Sequence, residues 1–338
     1  MIKVSFIIPT LNASKVLNSC LKSIKKQTVS SKDYEIIIAD GGSTDNTINI
    51  AKIYNSKIVD NPLKTAEAGK AVGIKNAKGK YIALIDSDNI LPTINWLKTN
   101  IEILDGDESL IGCEPLSFTY RKNAGYIERY SALIGANDPY AFVTGVYDRK
   151  NYINYKWTGL KIHQIDYHKY IKIELKSGFP IPTIGANGTI FRTKFLKDNL
   201  KIDYLFDIDI ISESLKSNEN SLYFAKVKQG IIHTFCESSL KKFIRKQNRR
   251  ITDYYYYQNF RQYNWGDTNK SGVVKFVFYT ILIFPSLFDS LRGFIHKPDI
   301  AWFFHPLACF ITIYLYAINT VKKRLGLLKF LSRSSWQQ

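Results

Sequence analysis

Cysteine, methionine and acidic residues are all scarce in this sequence. Its 338 residues include four cysteines, one methionine and 29 Asp or Glu against 47 Lys or Arg. Cys20, Cys113, Cys236 and Cys309 are too few and too scattered for a disulfide framework. No C-x-x-C pair exists on which to build a zinc site. A reducing compartment suits this usage. The opening MIKVSFIIPT has one lysine and an apolar run that stops at Pro9, which is not a secretory signal, so the protein body is expected in the cytosol. G-x-G-x-x-G and G-x-x-x-x-G-K-[ST] are both missing, which leaves a Rossmann dinucleotide site and a P-loop without support.

The shortage of acid is regional. Residues 1–115 hold 14 basic and 13 acidic side chains, whereas residues 116–338 hold 33 and 16. The excess charge therefore belongs to what the later part of the chain faces: an anionic substrate, a membrane surface or nucleic acid. With 45% apolar residues the chain can bury a core.

Two hydrophobic periods alternate along the first 115 residues. Residues 4–8, 34–39, 57–59 and 81–85 read as short strands. Val16, Leu17, Cys20, Leu21 and Ile24 recur at helical spacing, and helices are also expected over residues 68–76 and 93–104. A further helix carries Ile48, Ala51 and Ile53, with Thr44 or Asp45 as its cap. Strands alternating with helices imply an α/β fold with βαβ units, a mostly parallel sheet, and ligands at the carboxyl ends of its strands. Residues 116–180, rich in Tyr, Asn and Lys, break the rhythm and read as an insertion with short elements of its own. Regular patterning returns at the glycine loop 185–188 and in a helix near residues 210–215. The expected organisation is three segments: 1–115, 116–237 and 238–338.

The last segment differs in kind. A basic helix is expected over residues 238–263, with Lys241, Lys242, Arg245, Lys246, Arg249 and Arg250. Residues 273–291 are mostly apolar but contain Lys275, Pro285 and Asp289. Residues 300–321 carry one histidine and no charge, long enough to cross ~30 Å of hydrocarbon. Flanking basic clusters at 241–250 and 322–333 fit a cytoplasmic membrane face. A two-pass hairpin, a re-entrant segment or a pair of interfacial helices all satisfy this pattern, and two buried core helices are the alternative.

D-x-D occurs three times, where composition alone gives about one, so position decides which matters. Asp105 and Asp107 fall in a polar turn. Asp86 and Asp88 come directly off the strand at 81–85, where paired carboxylates suit a hard divalent cation that bridges phosphates. Two further turns follow strands: Pro9-Thr10-Leu11-Asn12, and Asp40-Gly41-Gly42-Ser43-Thr44-Asp45. An Asp closing the second strand can accept hydrogen bonds from a base or a ribose, and the glycines beside it let backbone approach a planar ligand.

The runs VSFIIPTLN, EIIIADGGSTDNT and KAVGIKNAKGKYIALIDSD, in this order over residues 3–92, resemble the nucleotide-binding half of a family 2 glycosyltransferase with the GT-A fold. GANGTIFR at 185–192 resembles the acceptor-side loop of that family, and IIHTF with the basic helix after it resembles the closing segment. The resemblance implies that Pro9, Thr10 and Asn12 line the nucleotide pocket, that Asp40 contacts the base, and that Asp86 contacts the ribose or the sugar. It implies that Asp88 coordinates Mg2+ or Mn2+ through the diphosphate, with His233 reaching the metal or the diphosphate. Lys70 stands where the family often has Arg, keeping the charge without the bidentate fork. Gly185, Asn187 and Arg192 fall on the acceptor side. The family usually carries its general base in a Glu-Asp pair; here Asp207-Ile208-Asp209 stands instead, leaving either Asp as base, with Asp209 favoured because it opens a helical run.

What the resemblance implies is inverting transfer of a sugar from a nucleotide diphosphate, UDP by family habit, to a hydroxyl of a lipid-linked polyprenyl glycan. The enzyme would work at the cytoplasmic membrane face, held there by its C-terminal helices. A polyprenyl-phosphate glycosyl synthase is the nearest rival. A polymerising synthase would show Q-x-x-R-W, which Lys246-Gln247-Asn248-Arg249-Arg250 approaches without the Trp. A membrane scaffold with a dead transferase fold is opposed by the intact Asp86 and Asp88. Nucleic-acid binding fits the charge and the 47 aromatic residues, but the charge is absent from the ligand-binding segment, so no nucleic-acid partner is expected.

Overall fold

The computed structural model describes residues 2–200, 204–205, 207–217, 221–257 and 270–328. The end of the expected basic helix, at 258–263, and the basic residues Lys329 and Arg333 lie outside the described residues. The chain divides into two compact units, residues 1–116 with 162–233 and residues 117–161 with 234–335.

The first unit is built on a mixed sheet. Its strands are β1 (Val4–Thr10), β2 (Tyr34–Asp40), β3 (Lys57–Asp60), β4 (Tyr81–Leu84), β5 (Asn89–Ile90), β6 (Leu110–Phe118), β7 (His163–Asp166), β8 (Tyr170–Lys176), β9 (Thr189–Arg192) and β10 (Ser221–His233). The spatial order is β3-β2-β1-β4-β9-β6-β10-β8-β7, with β5 paired to β10. β1 to β4 run parallel, as the alternating pattern requires, while β9 runs antiparallel to both β4 and β6. β1 is buried throughout, which explains why apolar residues dominate it.

Around the sheet lie α1 (Ser14–Lys25), α2 (Thr47–Ile53), α3 (Ala66–Asn76) and α4 (Trp96–Gly106). α1 buries Leu17, Cys20, Leu21 and Ile24, the stripe its periodicity marked. α3 comes closest to β1 because Gly69 and Gly73 face it. A Cβ on Gly73 would stand 2.3 Å from Ile7 Cγ2, and one on Gly69 would stand 2.9 Å from Pro9 Cβ. Thr65 caps α3 by accepting from the Ala68 amide at 3.2 Å. The expected cap of α2 differs: its N-cap is Asn46, while Asp45 accepts from the Thr47 amide and from the Ser14 amide. Asp45 is thus spent on tying the start of α1 to the start of α2. Between neighbouring strands of the sheet, fully buried Glu114 on β6 and Lys226 on β10 form an ion pair of 2.6 Å.

The second unit is helical: α5 (Tyr126–Ile134), α6 (Pro139–Thr144), α9 (Leu240–Tyr257), α10 (Lys270–Ile281), α11 (Phe284–His296) and α12 (His305–Arg324). In chain order α7 (Thr193–Asn199) and α8 (Asp207–Ser217) precede these last four and belong to the first unit. Its core packs Ile127, Tyr130, Phe243, Trp302 and Phe304 together, with Tyr130 and Phe243 both meeting the Phe304 ring edge-on. Residues 273–291 do not form one helix. α10 and α11 meet at an 82° bend, where Ile283 takes a positive φ of 59° and Pro285 restarts the helix. Residues 300–324 do form one rod, a 3-10 turn (Ile300–Phe304) running into α12, and it is long and apolar enough to cross a membrane.

A polar string threads this unit. Tyr279 Oη donates to Asp289 Oδ2 at 2.6 Å and lies 2.9 Å from His305 Nε2; Tyr130 Oη lies 2.7 Å from His305 Nδ1. Burial holds the His305 imidazole at a pKa of about 3, so it is neutral. Tyr279 has spent its proton on Asp289, so Nε2 carries the imidazole hydrogen and Nδ1 accepts from Tyr130.

Candidate active site

β1, β2 and β3 end level, with Thr10 beside Asp40 and Asp40 beside Asp60. Two loops leave this edge and are laced together. Thr10 Oγ1 donates to Asp40 Oδ1 at 2.7 Å, and Ser43 Oγ donates to the same oxygen at 2.6 Å. The amides of Gly42 and Ser43 donate to Oδ2 at 2.9 and 2.7 Å. All four donors come from the chain itself and fill both carboxylate oxygens. Asn12, at φ 50°, takes the Thr44 amide on Oδ1 at 2.8 Å, while its own amide donates to Ser43 Oγ. Gly42, at φ 88°, makes the turn possible. Asp40 therefore organises the pocket wall. Burial works against the Asp45 charge, but hydrogen bonds from Ser14 and Thr47 outweigh it and hold the carboxyl down at about 2.

The next parallel strand, β4, delivers Asp86 and Asp88 to the same edge. Lys70 on α3 is only 4% exposed and its Nζ lies 3.7 Å from Asp86 Oδ1. That oxygen is buried and accepts no hydrogen bond among the described residues. β5 pairs with the end of β10, setting His233 opposite Asn89, and His233 Nε2 lies 3.4 Å from Asp88 Oδ1. Cys20 packs below, its thiol pushed up first by burial and then by the charges of Asp88 and Asp86. Among the described residues no three His, Cys, Asp or Glu side chains converge on one point. A cation here would need oxygens from phosphate or water to complete its shell. That is how Mg2+ is commonly held, by one or two carboxylates plus a substrate.

The fully buried Asn89 accepts from the Asp86 amide at 3.0 Å and donates to Asn187 Oδ1 at 3.1 Å. This joins loop 185–188 to the Asp86 turn. Gly188, at φ 82°, donates to the Leu84 carbonyl, and Thr189 Oγ1 donates to the Gly185 carbonyl beside Glu114. Leu205 donates its amide to Glu67 O at 3.0 Å, and Tyr204 reaches the Glu67 carboxylate at 3.3 Å. Since α3 starts at the carboxyl edge, the first turn of α8 is anchored there too. Asp209 lies in that turn and is 5% exposed. The side chain of Asp207 is outside the described residues.

The structure thus gathers Pro9, Thr10, Asn12, Asp40, Lys70, Asp86, Asp88, Gly185, Asn187, His233 and the start of α8 at one edge of the first unit. Arg192 is not among them. It pairs with Tyr81, the first residue of β4, and so sits at the opposite edge. Its guanidinium donates to the carbonyls of Leu104, Asp107 and Leu110 at 2.6–3.0 Å, closing the end of α4. β9 runs antiparallel, so four residues carry the chain from one edge to the other. Asn89 and Glu114 escaped the sequence reading. A lone charge inside the apolar strand LIGCEPLSF was a legible signal for Glu114. The partner of Asn89 lies 98 residues away and leaves no local trace.

A mixed, mainly α/β sheet whose carboxyl edge carries an Asp-x-Asp turn between a buried lysine and a histidine is the GT-A type of glycosyltransferase fold. Residues 5–130 match the family described as Glycosyl transferase family 2. The glycosyltransferase AglE of Haloferax volcanii is 28% identical over 136 residues, 38% of this chain and 44% of that protein. The poly(ribitol-phosphate) beta-N-acetylglucosaminyltransferase TarP of Staphylococcus aureus is 38% identical over 97 residues, 27% of this chain and 30% of that protein. The chain thus spans less than half the length of either relative. Among solved structures, S. aureus TarS 1–349 in complex with UDP aligns over 98% of this chain and 93% of its own, at 16% identity and a TM-score of 0.46.

Proposed function

We propose that the protein transfers a sugar, with inversion, from a nucleotide diphosphate donor to a hydroxyl of a lipid-linked glycan. The observation that carries this reading is the Asp86-Ser87-Asp88 turn, bracketed by Lys70 and His233, with one buried Asp86 oxygen that accepts no hydrogen bond among the described residues. The nucleotide lies on the turns after β1 and β2, against Pro9, Thr10 and Asn12, with Asp40 holding those turns in shape. Lys70 offers positive charge to the diphosphate, and Asp86 faces the ribose or sugar. Asp88 and His233 would hold Mg2+ or Mn2+, which when bound supplies charge against the departing diphosphate. Gly185 and Asn187 border the acceptor. Asp209, or Asp207, takes the proton of the acceptor hydroxyl as its oxygen attacks the anomeric carbon, and the nucleoside diphosphate leaves with the bonding pair.

By segment, residues 1–115 bind the donor, 116–237 shape the acceptor side, and 238–338 meet the cytoplasmic face of a membrane. The relatives' own acceptors, a poly(ribitol-phosphate) among them, support a large anionic or lipid-borne acceptor. UDP is the first donor nucleotide to try. The test is a thermal-shift panel of nucleotides and nucleotide sugars with and without Mn2+. A donor at a hundred times its Kd adds about 2.7 kcal/mol of stability. In Asp88→Ala the Mn2+-dependent part of that shift should vanish. If no nucleotide moves the transition with or without Mn2+, the reading is wrong.

A further inference from the structure

The helices of the second unit after residue 270 are amphipathic the wrong way round for water. α11 buries Ser286, Ser290 and Gly293 and exposes Leu287, Phe288, Leu291 and Ile295. α12 buries His305, Thr312 and Asn319 beside Ala308, Cys309 and Leu315, and exposes Leu307, Phe310 and Tyr314. At the bend, residues 281–284 (Ile-Leu-Ile-Phe) are each 55–82% exposed, Phe284 most of all. A continuous apolar surface of this kind marks an interaction site.

We infer that α10 and α11 form a wedge that enters one leaflet of an anionic bilayer apex first, and that neither this pair nor α12 spans it. Charge selects the occupant. Among the described residues, the exposed Lys, Arg, Asp and Glu side chains of these helices are Lys275, Arg292, Lys322, Lys323 and Arg324, all basic. The acids are turned inward: Asp289 accepts from Tyr279, and Asp299 is paired to Arg129 at 2.8 Å. A second copy would bring the same positive rim, whereas anionic lipid neutralises it.

Depth follows from the geometry. Lys275 lies six residues before the end of α10, and Arg292 lies eight residues after the start of α11, which is ~9 and ~12 Å along the two axes. With the axes bent by 82°, each arm leans ~49° from the bisector, and the apex reaches ~6–8 Å beyond the charged rim. This is the depth of an interfacial helix, within one leaflet of a ~30 Å hydrocarbon core.

The far face of α12 argues against a span. Asn319 bonds Asn248 at 2.8 Å, Tyr316 bonds Asp138 at 2.6 Å, and Thr320 meets Tyr255 at 2.5 Å. Arg250 of α9 stands 3.7 Å from the same Asp138. Crossing the bilayer would carry that arginine and its neighbours into hydrocarbon beside α12.

The inference rests on the proposed membrane association and is independent of glycosyl transfer. The full chain with Phe284→Cys carries an environment-sensitive fluorophore there, the native cysteines all being buried. It is mixed with phosphatidylcholine vesicles, with or without about a third phosphatidylglycerol, spin-labelled either near the headgroup or deep in the acyl chain. Expected are uptake by the anionic vesicles only, stronger quenching by the shallow label, and loss of at least tenfold in partitioning for Phe284→Asp, with circular dichroism unchanged. Stronger quenching by the deep label, or a Pro298→Cys reachable only from the vesicle lumen, would overturn the wedge while leaving membrane association intact. No uptake by any vesicle, or self-association in its place, would overturn both. Donor binding in the thermal-shift panel is read separately.

Discussion

Replacing Asp40 by Asn separates two roles that the same carboxylate could have, ligand contact and loop organiser. Asp40 takes two hydroxyl donors on Oδ1 and two amide donors on Oδ2, all at 2.6–2.9 Å. Asparagine keeps one acceptor oxygen. Turned toward Thr10 and Ser43 it retains the hydroxyl pair but points an NH2 group at the amides of Gly42 and Ser43. Two hydrogen bonds to a charged group, each worth about 1.5–3 kcal/mol, are lost, and solvent at Gly42 returns part of this. The net cost is about 2–4 kcal/mol. For a unit of this size that lowers Tm by roughly 4–16 °C. The assay is thermal and urea unfolding of Asp40→Asn without nucleotide, beside Thr10→Val, which removes a single donor and should cost about 1 kcal/mol. If Asp40→Asn unfolds like the parent and only nucleotide affinity falls, the carboxylate is a ligand contact and the reasoning fails.

Three other outcomes can be checked. Asp209→Asn should leave donor binding intact and stop transfer to hydroxyl acceptors, with Asp207→Asn doing less; rates in the reverse order reassign the base. Gly73→Ala should destabilise the first unit by about 1–3 kcal/mol through overpacking against Ile7, and adding Ile7→Ala should recover part of the loss if the contact is the cause. As pH falls from the ordinary Asp value of 3.8 toward 2, the unfolded chain protonates Asp45 before the folded one does. Its contribution to stability, complete above that window, is therefore lost within it, and Asp45→Asn should flatten the acid limb of a stability profile.

The first ninety residues were legible because each strand is a short apolar run and each helix a stripe, and a parallel βαβ chain always brings its turns to one edge. That reasoning located the turns at Pro9, Asp40 and Asp86. Arg192 was placed on the acceptor side by resemblance alone, and pairing with β4 shows that β9 runs backward and carries it to the other edge. The bend at residues 282–283 was half visible in Pro285, but its angle depends on the positive φ of Ile283, which no propensity announces. The lacing of Asp40 was invisible for another reason. A carboxylate after a strand looks equally fit to grip a ligand or its own loop, and only the positions of Thr10 and Ser43 decide between them.

The string from Tyr130 through His305 and Tyr279 to Asp289 has a polarity: every link hands a proton in one sense, and the last accepts it. A lesion at any one member strands its neighbours, whereas removing all four at once leaves nothing to satisfy. Anyone shortening or redesigning these helices must therefore inherit the quartet whole or discard it whole, and single-site scans through it will rank each member as indispensable when the indivisible thing is the set.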